Sequence, residues 1–298
     1  MPRRLNRAQL VRMLRTTGLL TLVDRGRLLS RRATARAANR RFAREHPDFA
    51  IPPAELMFDA LAHVDLAGYR ASGMQHAAAI ARVIDAAYPD GPLEVLEWGC
   101  GPGRLIRHMP ALLAAHPARI MGSDYNPRAV RWCAEHLDGI TFVQNGLRPP
   151  LPLADTLLDV VYSISVFTHL SEDVQLTWAD ELRRVLKPGG LLICTTQGDG
   201  YRHLLADADE RARYAAGEVV VQGNYTEGRK WFLAIHPDRF VRDRLLGGYV
   251  GVRRVPAPAE YGFAQDMWIA WKDHIPDGRG PALDRLADAA GTANHSGR

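Results

Sequence analysis

The sequence predicts an α/β fold built on a doubly wound, mostly parallel sheet, and three observations carry that expectation. The first is Leu93-Glu94-Val95-Leu96-Glu97-Trp98-Gly99-Cys100-Gly101-Pro102-Gly103-Arg104, an apolar run that ends on an acid and breaks into three alternate glycines. The second is a shorter apolar run, 119–124, that ends on Asp124, 25 residues after Gly99. The third is the continued alternation of strand-like and helix-like patterns as far as Thr196. Elements alternating in that way pack as a parallel sheet with helices on both faces.

At 298 residues the chain can bury one full core and carry extensions. Cys100, Cys133 and Cys194 are isolated and odd in number, which argues for a reducing setting without disulfides or structural zinc. No constellation of residues suggests a metal site. No apolar run approaches the roughly 18 residues of a membrane span. The stretch 18–23 is too short for a secretory leader, so a cytoplasmic or membrane-peripheral location is expected. The net charge of +5 is uneven: residues 1–46 hold thirteen arginines, no lysine and two acids. The basic balance therefore belongs to the N-terminal arm, and the rest of the chain is mildly acidic.

The arm, residues 1–53, reads as helical segments. Leu10, Val11 and Leu14 form one apolar stripe and Leu28, Leu29 and Ala33 another, with arginines between. Two readings stay open here. A basic helix can lie on anionic lipid or nucleic acid, or it can pack on the domain with its arginines solvated. Pro47 and Pro52-Pro53 close the arm, and residues 54–90 continue as helix, with Tyr69 to Gly73 as a link before the second segment.

After the glycine turn a helix is expected from Arg104 to about His116, kinked at Pro110. Glycines there let the backbone approach a ligand closely, and the helix start offers unpaired amides. Asn126-Pro127 reads as the next helix start. An Asp at a strand tip, as Asp124 would be, can accept from both hydroxyls of a ribose. The third strand, 140–144, ends at Asn145-Gly146, whose amide oxygen is a neutral acceptor. Residues 147–156 are too rich in proline for a helix. The fourth strand, 157–163, runs into Ile164 to Leu170, and Ser171 then caps a helix with an acidic first turn. Lys187-Pro188-Gly189-Gly190 is read as its stop and 191–196 as the fifth strand. Beyond lie a polar helix over 201–214, two strands at 218–222 and 231–235, and a helix at 238–246. Two final strands follow at 249–255 and 266–272, and 274–298 reads as a flexible tail.

The glycine spacing is wrong for the dinucleotide fingerprint G-x-G-x-x-G, because Arg104 holds the third-glycine slot. Glu97 would also sit badly beside a pyrophosphate. The pattern E-x-G-x-G-x-G resembles motif I of the class I S-adenosylmethionine (SAM) dependent methyltransferases. Asp124, the Ser165-Val166-Phe167-Thr168-His169-Leu170 turn and the stretch 186–190 follow in that family's order and spacing. The resemblance is strong over 93–197 and looser over 65–273, and its nearest look-alikes are bacterial small-molecule methyltransferases of the ubiquinone-methylating type.

The resemblance implies a Rossmann-like, seven-stranded sheet with an antiparallel last strand, occupying 54–273 behind the N-terminal helical extension. It implies SAM as cofactor, held through Glu97, Gly99, Gly101, Gly103, Asp124, Tyr125, Asn145, Gly146 and Ser163. Asn145 departs from the family, which commonly places an Asp near the adenine. The pre-core segment would fold over the cofactor, with Tyr69 or Arg70 near the methionine carboxylate, and 198–235 would form a substrate wall.

Methyl transfer asks the protein to align donor and acceptor and, for a hydroxyl, to remove its proton. His169, just past the tip of the fourth strand, is the candidate general base. The rival role for it is structural, bonding backbone at the turn. Signatures of adenine and cytosine methylation are absent, so nucleic acid is not an expected substrate. The expected function is methyl transfer from SAM to a hydroxyl of a small-molecule, glycan or lipid-linked acceptor, with contact of the arm with anionic membrane as one of its two open readings. The rival is a non-catalytic SAM-binding or nucleic-acid-binding protein on the same fold. The sequence leaves the oligomeric state open.

Overall fold

The computed structural model describes residues 20–223, 225–255, 264–280 and 283. Seven strands form one sheet: β1 (Leu93–Trp98), β2 (Ala118–Asp124), β3 (Ile140–Gln144), β4 (Leu158–Ser163), β5 (Leu186–Thr196), β8 (Val250–Val255) and β9 (Asp266–Trp271). Their order is β3-β2-β1-β4-β5-β9-β8. The first five run parallel, and β9 inserts antiparallel between β5 and β8. This is the Rossmann-like, doubly wound architecture with a reversed last strand. The short hairpin β6 (Val220–Gln222) and β7 (Leu233–Ile235) stands apart from it.

The central strands are apolar on both faces because helices cover both. Val95, Val160 and Ile193 face one core, while Leu96, Val161 and Leu192 face the other. Register holds this alternation across the sheet, with Val95 opposite Val160 and Val160 opposite Leu191. The first core is closed by Ile80, Val83 and Ile84 of α3 (Leu66–Ala87), and the second by Trp178, Leu182 and Val185 of α6 (Glu172–Val185).

Chain order places α1 (Leu20–Glu45) and α2 (Ala54–Leu61) before α3. The stripe Leu10, Val11 and Leu14 lies outside the described residues. The described part of the arm is one helix whose far end is fixed to the domain. Phe42 is buried, and the Asn39 amide donates to the Val64 carbonyl at 2.7 Å and accepts from the Leu66 amide at 3.1 Å. Both ends of α1 touch the body while Leu29 to Thr34 are exposed, which fits the reading of a helix packed on the domain with its arginines solvated.

Several local expectations are corrected. Tyr69 to Gly73 is no link but part of α3, which starts at an Asp65 cap that accepts from Gly68 N at 2.9 Å. No long helix follows the glycine turn: a 3₁₀ turn, Ile106–His108, leads into the single turn α4 (Met109–Leu112). Pro110 cannot donate a backbone bond, and the chain must reach β2 within a few residues. The helix before 187–190 does stop, at Val185, but the stretch itself already belongs to β5 rather than to a separate turn. Lys187 pairs there with Asp159 at 2.8 Å, and the register shifts between Leu158 and Val160. The polar helix divides into a 3₁₀ segment (Asp199–Leu204) and α7 (Ala208–Ala215), because the Asp207 side chain caps Glu210 N.

Asn126 and Pro127 do open α5 (Pro127–His136), with the Asn126 side chain accepting from Arg128 N at 3.1 Å. Ser171 precedes α6, but its hydroxyl is drawn away to Glu227 (2.5 Å) and Asp173 (2.7 Å) rather than to the helix amides. The helix at 238–246 is α8 (Asp238–Phe240), which widens into one π turn (Val241–Leu245). In the C-terminal segment, Ile275 packs on the first core and Leu283 is buried within it.

Candidate functional site

The parallel strands end together at one edge, and there the chain builds two adjoining cavities. The larger, about 710 Å³, is walled by the glycine turn, Asp124, Tyr125, Asn145, Gly146, His169 and the loop 225–231. Asp24, Arg25 and Leu28 of α1 complete it. The smaller, about 300 Å³, holds Glu97, His76, Arg104, Tyr201 and Gln265. Gly99, Gly101, Pro102, Ile164 and Ser165 border both, so the cavities meet across the turn.

The turn is fixed by backbone bonds from both sides. Gly99 N and Cys100 N donate to the Ser123 carbonyl at 2.8 and 2.9 Å. Behind it, Tyr69 hydroxyl donates to the Pro102 carbonyl at 2.8 Å, and Arg107 donates to the Gly103 carbonyl at 2.8 Å. Tyr69 is therefore a wholly buried support of the turn, and Arg70 is exposed.

All three glycines have positive φ, but they do different work. A Cβ on Gly99 would lie 2.2 Å from Val166 Cγ2, and one on Gly103 would lie 2.5 Å from Leu137 Cδ1. A Cβ on Gly101 would meet nothing within 4 Å. Gly99 and Gly103 permit packing, whereas Gly101 keeps the cavity floor bare.

Asp124 ends β2 beneath this floor and is nearly buried. Gly101 N donates to Oδ2 at 2.8 Å and Asn126 N to Oδ1 at 2.8 Å. Burial pushes its carboxyl up, and the amides of Asn126, Gly101 and Tyr125 pull it back. Each oxygen keeps a further lone pair for a ligand hydroxyl. Asn145 follows β3, and its Nδ2 donates to the Gly146 carbonyl at 2.6 Å while its buried Oδ1 has no partner. An unpaired buried acceptor is costly, and an adenine amino group would satisfy it. Asp124, the open floor at Gly101 and the orphaned Asn145 oxygen together fit the nucleoside part of S-adenosylmethionine.

Of the other expected cofactor residues, Tyr125 and Gly146 line the same cavity. The Tyr125 hydroxyl is turned to the Gly228 carbonyl at 2.9 Å. Glu97 lies in the smaller cavity, where it accepts from the Tyr162 hydroxyl at 2.9 Å. Burial lifts its carboxyl to about 8, against the opposing pull of Tyr162 and Arg104. Gly103 and Ser163 border neither cavity. Gly103 is packed behind the turn, and the Ser163 hydroxyl is buried without a partner.

His169 closes a 3₁₀ turn, Phe167–His169, at the larger cavity. Its Nδ1 lies 2.7 Å from the Phe232 carbonyl, an acceptor only, so Nδ1 carries the proton. In the neutral ring Nε2 is then a free base. Burial holds the ring below the usual histidine range, opposed by the Phe232 carbonyl. The backbone bond foreseen as a structural role and the base geometry therefore coexist in one side chain.

Sequence reasoning missed four contributors. Ser165 takes a left-handed conformation (φ 62), with its amide on Thr195 Oγ1 at 2.8 Å and its hydroxyl accepting from Gln265 at 2.8 Å. Gln265 comes from the segment before β9, 70 residues from Thr195, and nothing local marks it. Arg104 was read only as the wrong residue for a dinucleotide. It donates to His76 Nδ1 at 2.9 Å in the smaller cavity. The α1 residues were placed in the arm and given no part in the site.

Residues 95–190 match the family described as "Methyltransferase domain". The ubiquinone biosynthesis O-methyltransferase of Cereibacter sphaeroides is 34% identical over 125 residues, which cover 41% of this chain and 48% of that protein. The malonyl-(acyl-carrier protein) O-methyltransferase of Hahella chejuensis is 30% identical over 106 residues, 35% of this chain and 37% of that protein. The chain thus spans about half the length, or less, of these curated relatives. The Burkholderia thailandensis 1,6-didemethyltoxoflavin-N1-methyltransferase, solved with S-adenosylhomocysteine, aligns with 17% identity and a TM-score of 0.45. That alignment covers 66% of this chain and 79% of that one.

Proposed function

We propose that this class I SAM-dependent methyltransferase moves a methyl group to a hydroxyl oxygen of a small-molecule, glycan or lipid-linked acceptor. The observation that carries the cofactor half is the buried Asp124 carboxylate, held by two backbone amides beneath the open floor at Gly101. Two relatives whose names contain "O-methyltransferase" support oxygen as the methylated atom.

When bound, S-adenosylmethionine supplies a methyl group on a positively charged sulfur that departs as a neutral thioether. The protein's share is alignment and proton transfer. Asp124 accepts the ribose hydroxyls, and Asn145 Oδ1 accepts from the adenine edge. Nε2 of His169 takes the acceptor's hydroxyl proton, and the imidazolium is steadied by the Phe232 carbonyl at Nδ1. The proton then passes to solvent.

The exposed arginines of α1 support a second element of the reading, peripheral contact with anionic membrane. Arg36, Arg40 and Arg44 recur at helical spacing and are exposed.

Calorimetry with SAM and S-adenosylhomocysteine tests the cofactor half. Asp124→Ala is expected to weaken both by about tenfold or more, since hydrogen bonds to a charged group are worth about 1.5–3 kcal/mol. Turnover of labelled SAM against a panel of hydroxylated acceptors tests the other half. Tight SAM binding without turnover on any acceptor would favour the non-catalytic rival.

A further inference from the structure

The larger cavity has a wall supplied from far away in sequence. Asp24, Arg25 and Leu28 of α1 line the same space as Asp124 and Asn145. At this end α1 is held by one compact junction. Asp24 Oδ2 accepts from Trp231 Nε1 at 2.7 Å and lies 3.3 Å from Lys230 Nζ. Arg27 stands over the Trp231 indole, its Cζ 5.3 Å from the ring centre. Lys230 in turn donates to the Phe58 carbonyl of α2 at 3.2 Å and sits 3.5 Å above that ring. Three separate segments therefore converge over one cavity, α1 joined to the loop by the Asp24 carboxylate and the loop joined to α2 by Lys230.

The rest of α1 contributes little grip near the cavity. Leu29 to Thr34 are exposed, and the Arg32–Glu55 pair (2.9 Å) beneath them is solvent-facing on both sides. Exposed pairs of that kind add little stability. The firm anchor is at the opposite end, around Asn39 and Phe42. The helix thus hangs from its C-terminal half and is fastened at Asp24.

The fastening is not tightly closed in energy. Asp24 Oδ1 is buried with no hydrogen-bond partner, so the joined state leaves one carboxylate oxygen dry. Water would satisfy that oxygen once α1 and Trp231 part. The other face of the junction moves with the site: His169 bonds the Phe232 carbonyl at 2.7 Å and accepts from Gly228 N at 2.9 Å. Opening on the α1 side is the route that leaves those bonds intact.

We propose that Asp24 is a positioning residue that fastens α1 to Trp231 and Lys230 across the cavity, so that the nucleoside cofactor enters and leaves when this junction parts. The inference rests on the reading that the cavity binds SAM and its product.

The test is stopped-flow binding of S-adenosylhomocysteine to the full chain, with calorimetric Kd and melting temperature on the same preparations. Asp24→Ala removes both carboxylate contacts of α1 to the loop, and Trp231→Phe removes the indole bond while keeping the ring and the Lys230 pair, in case the first fails to fold. Both are expected to raise association and dissociation rates together, by about tenfold, with Kd kept within about threefold, as for removal of a gate rather than a contact. Ser30→Ala, on the exposed part of α1, is the control with wild-type rates. Rates within about twofold of wild type in both variants overturn the proposal. A rise in dissociation alone, matched by a weaker Kd, also overturns it, because Asp24 would then be a ligand contact. Absence of S-adenosylhomocysteine binding by the wild-type chain overturns the cofactor reading itself, and this inference with it.

Discussion

Tyr162 donates its phenolic proton to Glu97 at 2.9 Å, and both side chains lie buried between β4 and β1. Burial holds the Glu97 carboxyl at about 8, so the folded protein keeps a proton there that the unfolded chain loses near the ordinary value of 4.5. Between those two values the folded state binds more protons, and stability contributed at this site falls as pH rises. Glu97→Gln cannot titrate and still accepts from Tyr162. Its melting temperature relative to wild type is therefore expected to rise steadily from pH 5 to pH 8. A constant difference across that range would show that Glu97 is already ionised in the fold.

The glycine turn separates packing from binding. Gly99→Ala puts a methyl 2.2 Å from Val166 at a positive φ, and Gly101→Ala meets open space. Gly99→Ala is expected to lower stability by about 2 kcal/mol or more, as overpacking and strain do. Gly101→Val should cost SAM affinity because its side chain fills the floor beside Asp124, and its positive φ adds strain, though without the clash met at Gly99. Denaturant midpoints and calorimetry on both variants separate the two roles.

His169→Ala is expected to lower kcat by roughly 10²–10⁴-fold with SAM affinity nearly intact. Burial depresses the imidazole, so the neutral, proton-accepting ring prevails at neutral pH. Activity limited by this group should fall only as pH drops below the usual histidine range. A structural histidine would instead lower the melting temperature and leave kcat within a few fold.

Reversing Arg36, Arg40 and Arg44 to Glu tests the membrane reading without touching the cavity. The wild-type chain is expected to sediment with phosphatidylserine vesicles at low salt, and less so near physiological strength, where screening acts over about 8 Å. The reversed variant should stay in solution with unchanged SAM affinity. A wild-type chain that ignores such vesicles at low salt would leave α1 as a wall of the cavity alone.

The parallel half of the fold was legible because its signals are local. Each strand is a mostly apolar run with a breaker near its tip; Asp124 ends one such run, and His169 lies in the turn that follows another. The errors share one cause, tertiary bonds that override local pattern. The helix stops at Val185 as expected, but β5 begins at Leu186 rather than Leu191, and Lys187 pairs there with Asp159. Tyr69 was read as a cofactor contact, yet the distant Pro102 carbonyl claims its hydroxyl. Asp24 carries no local mark at all, because its partner Trp231 is 207 residues away.

The loop 225–232 is bonded to the machinery it surrounds. Gly228 gives its carbonyl to Tyr125, the neighbour of Asp124, and its amide to the carbonyl of His169, whose ring is fixed by Phe232. If His169 is the base and this loop the acceptor wall, as proposed, acceptor choice and proton transfer are wired in series. A loop grafted from another enzyme to change the acceptor would also have to return an amide at 228 and a carbonyl at 232. Without them the imidazole is released to its other tautomer, and a new substrate would be admitted to a site that had lost its base.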